Sequence, residues 1–150
     1  VKAADYAREF TVGRSVERLF DCIATREGLR GWWTSLVSGS DAVGGTLHLE
    51  FEGMVEHIDM YVEAAQRPSK VVWSIVEHSS LDEWTGTKVC FTLSAKGANA
   101  CTLTFRHDGL SPKLACYEDC EAGWDHFLGS LVSFVERGKG EPFGARRMKP

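Results

Sequence analysis

A long amphipathic segment near the C-terminus, residues 112–137, follows an almost unbroken series of strand-like segments, and that order restricts the possible folds more than any other feature. Cys116, Cys120, Trp124, Phe127, Leu128, Leu131 and Val135 recur at three- and four-residue steps, so they form one apolar stripe. Glu118, Asp119, Glu121, Asp125, His126 and Ser133 take the remaining arc. Ser111 followed by Pro112 supplies a start, a hydroxyl cap and then a ring already set at helical φ. Gly138 and Gly140 supply the stop. Such a helix would be about 37 Å long at about 1.5 Å per residue. It needs a broad apolar surface to lie on, and the preceding strands can provide one.

Residues 6–12 alternate as a strand, with Tyr6, Arg8, Phe10 and Val12 on one side. Gly13 ends it, and Ser15 caps a helix that buries Val16, Leu19, Phe20 and Ile23. A second short helix is expected over residues 27–32. The Gly- and Ser-rich loop 38–45 is expected to be the most mobile segment. Strands then follow in meander order over residues 46–52, 55–65, 70–78, 87–95 and 101–108. Turn signals separate them at Gly53, Arg67 with Pro68, Trp84 through Gly86, and Gly97. Leu47, Leu49 and Phe51 alternate with His48 and Glu50; Val89, Phe91 and Leu93 alternate with Lys88, Cys90 and Thr92. One face is apolar and the other wet, as in an antiparallel sheet covered on one side. The expected fold is α+β and of helix-grip type: a curved antiparallel sheet wrapped around the long C-terminal helix, with two short helices near the N-terminus.

A chain of 150 residues accommodates one domain with a real core. The expected domain spans residues 1–143, followed by a basic tail, 144–150, that carries Arg146, Arg147 and Lys149 and is expected to be disordered. A formal net charge of −4 argues against general nucleic-acid binding. No apolar run reaches membrane-spanning length and no charged-then-apolar leader precedes Tyr6, so the expected location is cytoplasmic.

Five cysteines is an odd number without framework spacing. Cys116 and Cys120 could form half of a zinc site, but two further ligands are needed, and small core residues are the preferred reading. Pairing Val89 with Phe105, Phe91 with Leu103 and Leu93 with Cys101 across the turn at Gly97 puts Cys90 and Cys101 on opposite faces. No bridge between them is expected, and no metal or cofactor.

Five stretches carry a family resemblance: GWWT at 31–34, SGSDAVGGTLHLEF at 38–51, EWTGTKVCFTL at 83–93, FRHDGL at 105–110 and GWDHFLGSLVSFVERGKGEPF at 123–143. In this order they resemble the START-like superfamily, and most of all the branch of SRPBCC proteins named for homology to the activator of the heat shock protein 90 ATPase. The resemblance implies a helix-grip fold like that of the birch-pollen allergen, with a cavity for an apolar or amphipathic ligand. It implies no particular activity, because the fold hosts binders, transporters, cyclases and hydroxylase subunits.

Trp33, Trp73, Phe105, His107, Trp124 and Phe127 are the candidate walls of such a cavity, or equally its filling. Its mouth is expected near loop 38–45, where glycines permit movement. Of the adjacent Trp32 and Trp33, at most one is expected to point fully inward in the same way, and Trp84, in a turn, is expected to be a lid or surface contact. Gly123 and Gly129 hint at close neighbours or a bend in the helix. His107 continues the inward series of Leu103 and Phe105 and could anchor a ligand head group, although a structural histidine is the preferred reading. His57 and Asp59 belong to the solvated outer face. No phosphate loop, metal-binding His pattern or nucleophile elbow appears. The first functional reading is a binder of a small apolar or amphipathic molecule. The second is a regulator of a chaperone ATPase, and the third a small-molecule cyclase or hydrolase acting through His107.

Overall fold

The computed structural model describes residues 5–143; the basic segment 144–150 lies outside the described residues. The chain runs β1 (Ala7–Val12), α1 (Val16–Ala24), α2 (Arg26–Trp32), β2 (Leu36–Gly39), β3 (Thr46–Glu50), β4 (His57–Gln66), β5 (Lys70–His78), a 3-10 turn (Asp82–Trp84), β6 (Lys88–Ala95), β7 (Cys101–Asp108) and α3 (Tyr117–Arg137). All seven strands form one antiparallel sheet in the order β1-β7-β6-β5-β4-β3-β2. The meander β2 to β7 is thus closed at its far edge by the first strand. The inner face packs on α3, and this is the helix-grip arrangement.

Local chemistry explains the helices. Ser15 caps α1 by accepting from the Arg18 N–H, and Thr25 caps α2 through Gly28. Gly138, at φ 77°, ends α3 in the left-handed conformation that favours glycine. Arg18 of α1 donates to the carbonyls of Val135 and Phe134, so a cation meets the carbonyl end of the long helix. Gly31 lets α2 lie against α3, since a Cβ there would fall 2.2 Å from Phe134 Cζ. At the opposite sheet edge the Tyr6 hydroxyl donates to Asp125 Oδ1 at 2.6 Å, and Arg8 pairs with Glu121 and Asp125.

Four expectations need correction. The helix starts at Tyr117, because residues 111–116 fold as successive turns: Leu114 N–H donates to the Ser111 carbonyl and Tyr117 N–H to that of Leu114. The Ser111 hydroxyl serves Lys113 N–H instead of a helix, and the 21-residue α3 spans about 31 Å. Residues 36–39 form a strand paired with β3. Loop 40–45 is pinned as well, Gly44 N–H donating to the Val62 carbonyl and Gly45 N–H to that of Ala42. The β6–β7 register differs by two residues from expectation, with Val89 opposite His107, Phe91 opposite Phe105 and Leu93 opposite Leu103. The turn is longer than expected, closed by Lys96 N–H on the Ala100 carbonyl. A shift of two preserves each side chain's face, so Cys90 and Cys101 still lie on opposite faces, and both are free.

Candidate functional site

The inner face of the sheet and the apolar stripe of α3 meet through large rings. Trp124 of α3 lies 4.6 Å from Phe105 and 5.1 Å from Trp33, centroid to centroid. Trp33 stacks on Trp32 and on Trp73, at 5.6 and 6.0 Å. Trp32 and Trp33 are both buried, but not in the same way. They serve different places: the Trp32 indole donates to the Cys22 carbonyl at the end of α1, whereas Trp33 faces the end of the sheet.

There the rings stop short of closing the fold. A cleft of about 210 Å³ opens between the first half of α3 and the ends of β3, β4 and β5. Trp33, Trp84, Trp124 and Phe127 form its aromatic wall; Phe51, Ile58, Leu81 and Phe143 extend the apolar lining. Gly123 forms part of the helical side, and a Cβ placed on it would meet nothing within 4 Å. Neither Gly123 nor Gly129 is therefore required by a close neighbour. Met54 and Glu56 come from the β3–β4 loop and Asp119 from α3. Loop 38–45 contributes no residue to the lining, so the opening is not where the glycine-rich sequence suggested.

Of the six candidates, Trp33, Trp124 and Phe127 line this cleft. Trp73, Phe105 and His107 lie behind it, all essentially inaccessible. His107 is consumed by structure. Trp124 Nε1–H donates to its Nδ1 at 3.0 Å, which leaves the proton on Nε2 facing Thr87 Oγ1 at 2.7 Å. The Thr87 hydroxyl then donates to the Trp84 carbonyl at 2.5 Å. Burial pushes the His107 pKa down to about 4, so the ring is neutral at physiological pH. This relay ties α3 to β7, to the residue just before β6 and to the 3-10 turn.

Sequence reasoning missed two residues. Trp84 is buried rather than a surface lid: it stacks on Trp124 at 5.9 Å, and its indole donates to Cys120 Sγ at 3.2 Å. His78, at the end of β5, lines the cleft while only 4 % exposed. Its Nδ1 accepts the backbone N–H groups of Ser80 and Leu81, at 3.2 and 3.1 Å. Simple alternation from Trp73 and Ile75 would send Glu77 inward and His78 outward. A bulge reverses this, because Asp59 pairs with Glu77 and Met60 with Ile75, so Val76 is skipped.

The outer face holds a separate ionic group. His48 bonds to Asp59 and Glu50, and His57 to Glu77, all partly solvated. These side chains brace adjacent strands on the face opposite the cleft. Buried thiols complete the site's surroundings. Cys120 contacts the Trp84 indole, Cys116 lies beside Cys120, and burial raises the Cys116 pKa to about 12. All five thiols are expected to resist a membrane-permeant alkylating reagent in native protein and to react in full after denaturation. Counting fewer than five in denaturing, non-reducing conditions would show a bridge.

The fold and its buried aromatic cleft define a START-like domain of helix-grip type. Residues 14–136 match the family described as activator of Hsp90 ATPase homolog 1-like protein, and the chain belongs to that family. No curated protein matches the sequence. Among solved structures, the Aha1 dimer from Colwellia psychrerythraea is 25% identical, with a TM-score of 0.78, over 92% of this chain and all of that one. DynU16, from the dynemicin biosynthetic locus, is 21% identical with a TM-score of 0.68; the match covers 92% of this chain but 49% of DynU16. CalU16 from Micromonospora echinospora is 18% identical with a TM-score of 0.70, over 94% of this chain and 78% of that one. The last two likenesses are of fold alone. Among the described residues, no helix is long and apolar enough to cross a membrane.

Proposed function

We propose that this protein binds a small apolar or amphipathic molecule in the cleft between the sheet and the first half of α3. The observation that supports this most is the unfilled space itself, an opening of about 210 Å³ bounded by three indoles and three phenyl rings. Large rings usually close such a gap. The volume exceeds the ~150 Å³ of an engineered apolar cavity that takes up benzene, and lies below the ~300 Å³ typical of sites that enclose a drug-sized molecule. The cleft therefore takes one ring or a short chain, and a larger ligand leaves its remainder outside. Gly123 supports the reading further, because helix propensity favours alanine there by about 1 kcal/mol and no neighbour forbids it.

The test is tryptophan fluorescence and melting temperature across a panel of single-ring and short-chain compounds, with Gly123→Leu as the filled-cleft control. Wild type is expected to respond to some of them, and the variant to fold with an equal or higher melting temperature and respond to none. Silence of the wild type across the panel, or equal responses from both proteins, would overturn the proposal. The second reading, regulation of a chaperone ATPase, rests on the family description alone and is checked by ATP turnover of the chaperone with and without this protein. Cyclase or hydrolase chemistry through His107 has less support, since both its ring nitrogens are already engaged in the core.

A further inference from the structure

The polar groups on the cleft wall divide sharply into those already used and those left over. Trp84 Nε1–H is taken by Cys120, and Trp124 Nε1–H by His107. His78 is different. With two backbone N–H groups donating to Nδ1, its ring proton must sit on Nε2. No described residue accepts from that Nε2–H, and it is not sealed in the core, for every fully buried polar side-chain atom among the described residues has a partner. His78, only 4 % exposed, thus lines the cleft with one ring donor that no described residue accepts. Trp33 Nε1–H is a second wall donor without a described acceptor. The remaining charged groups of the lining are the carboxylates of Glu56 and Asp119; no lysine or arginine is among them.

We infer that the cleft selects a neutral aromatic carbonyl compound, whose ring lies among Trp33, Trp84 and Trp124 and whose carbonyl oxygen accepts the Nε2–H of His78. This rests on the binding reading above and narrows it. A bare hydrocarbon that displaces solvent from the cleft leaves this donor unpaired, a cost that a carbonyl avoids by accepting from it. A carboxylate would enter a pocket with no cation to balance it and two carboxylates at its edge. Desolvation lowers the His78 pKa, so the ring stays neutral and offers hydrogen bonding without charge.

The experiment uses three single-ring probes, ethylbenzene, acetophenone and benzoate, with binding followed by ligand-observed NMR. His78→Asn is the informative variant, because the asparagine carbonyl can still accept from Ser80 and Leu81 while the reach of Nε2 is lost. The ratio of acetophenone to ethylbenzene affinity is expected to fall about fivefold from wild type to His78→Asn. Benzoate is expected to bind wild type at least about tenfold more weakly than acetophenone. Long-range proton–nitrogen spectra of wild type, which need no variant, should show His78 protonated at Nε2 and that nitrogen shifting with acetophenone but not with ethylbenzene. An unchanged affinity ratio, an unmoved Nε2 or benzoate binding as tight as acetophenone would overturn the carbonyl assignment while leaving the cleft as a binding site. Failure of all three probes to bind would remove both.

Discussion

Replacing Leu131 with alanine is expected to destabilise the protein by about 2–5 kcal/mol, the range for truncating a leucine in a packed core. Leu131 is fully buried on α3, between Leu128 and Val135 on the same stripe. The helix end that carries it is held on three sides. Arg18 binds the Val135 and Phe134 carbonyls, Gly31 abuts Phe134, and the Ser130 hydroxyl donates to the Trp32 carbonyl. The surroundings therefore cannot collapse easily into the space left by the three lost carbons, Cγ and the two Cδ methyls, and the cost should fall above the bare transfer term. Denaturant unfolding measures it: the midpoint should fall with the slope unchanged. A loss within about 0.5 kcal/mol would mean that the stripe is not core. The cleft, by contrast, lies beside the other half of the same helix. Gly123→Leu there should cost nothing comparable, and the two variants together separate the packed end of the grip from the open one.

That division was only half visible in the amino-acid sequence. Periodicity sufficed wherever one physical rule acted alone. The stripe from Cys120 to Val135 follows the 3.6-residue repeat, and β5 and β7 follow strict strand limits at Lys70–His78 and Cys101–Asp108. Reading failed wherever tertiary contact overrode a local signal. Ser111 and Pro112 are a good helix start in isolation, yet the chain spends six residues in turns before α3 begins. Leu36–Gly39 is too short to show alternation, and its pairing with β3 becomes evident only once β3 is placed. Trp84 lies in a turn, a context that ordinarily means exposure; its burial depends on Trp124, forty residues later. His78 was hidden by one skipped residue, Val76, which no propensity marks. Half of the six expected wall residues line the cleft, because inward direction is readable from alternation but depth along the helix is not. Trp73, Phe105 and His107 point inward at a level where the grip is already full.

Stability is expected to fall as the pH is lowered from about 6.5 to about 4, and His107 should account for about 3 kcal/mol of the loss. The unfolded chain binds a proton on this histidine near pH 6.5, whereas the folded one resists until about 4. Between those values the unfolded state holds more protons, so each step down in pH favours it. Burial is the cause, and the geometry leaves no relief. A second ring proton on Nδ1 would confront the Trp124 Nε1–H that now donates to it. His78 is depressed for the same reason and adds to the loss in the same direction. His48 acts oppositely. Its bonds to Asp59 and Glu50 raise its pKa, so its contribution is present below pH 6.5 and fades as pH rises through the raised value. That group is partly solvated, and screening keeps its share small. Asp108, held below the usual carboxylate range by Arg106, gives up its contribution at lower pH, outside the histidine window. The two buried rings should therefore dominate between pH 6.5 and 4.5. Chemical denaturation at half-unit intervals would trace the slope, and His107→Asn, which keeps an acceptor for Trp124, should be less stable at neutral pH and flatter across the window. Proton-detected titration provides the direct observation: His107 should remain neutral at pH 5. If it titrates near 6.5 in folded protein, the Trp124–His107–Thr87 relay does not exist in the form described, and the joint between α3 and the sheet must be held by packing alone.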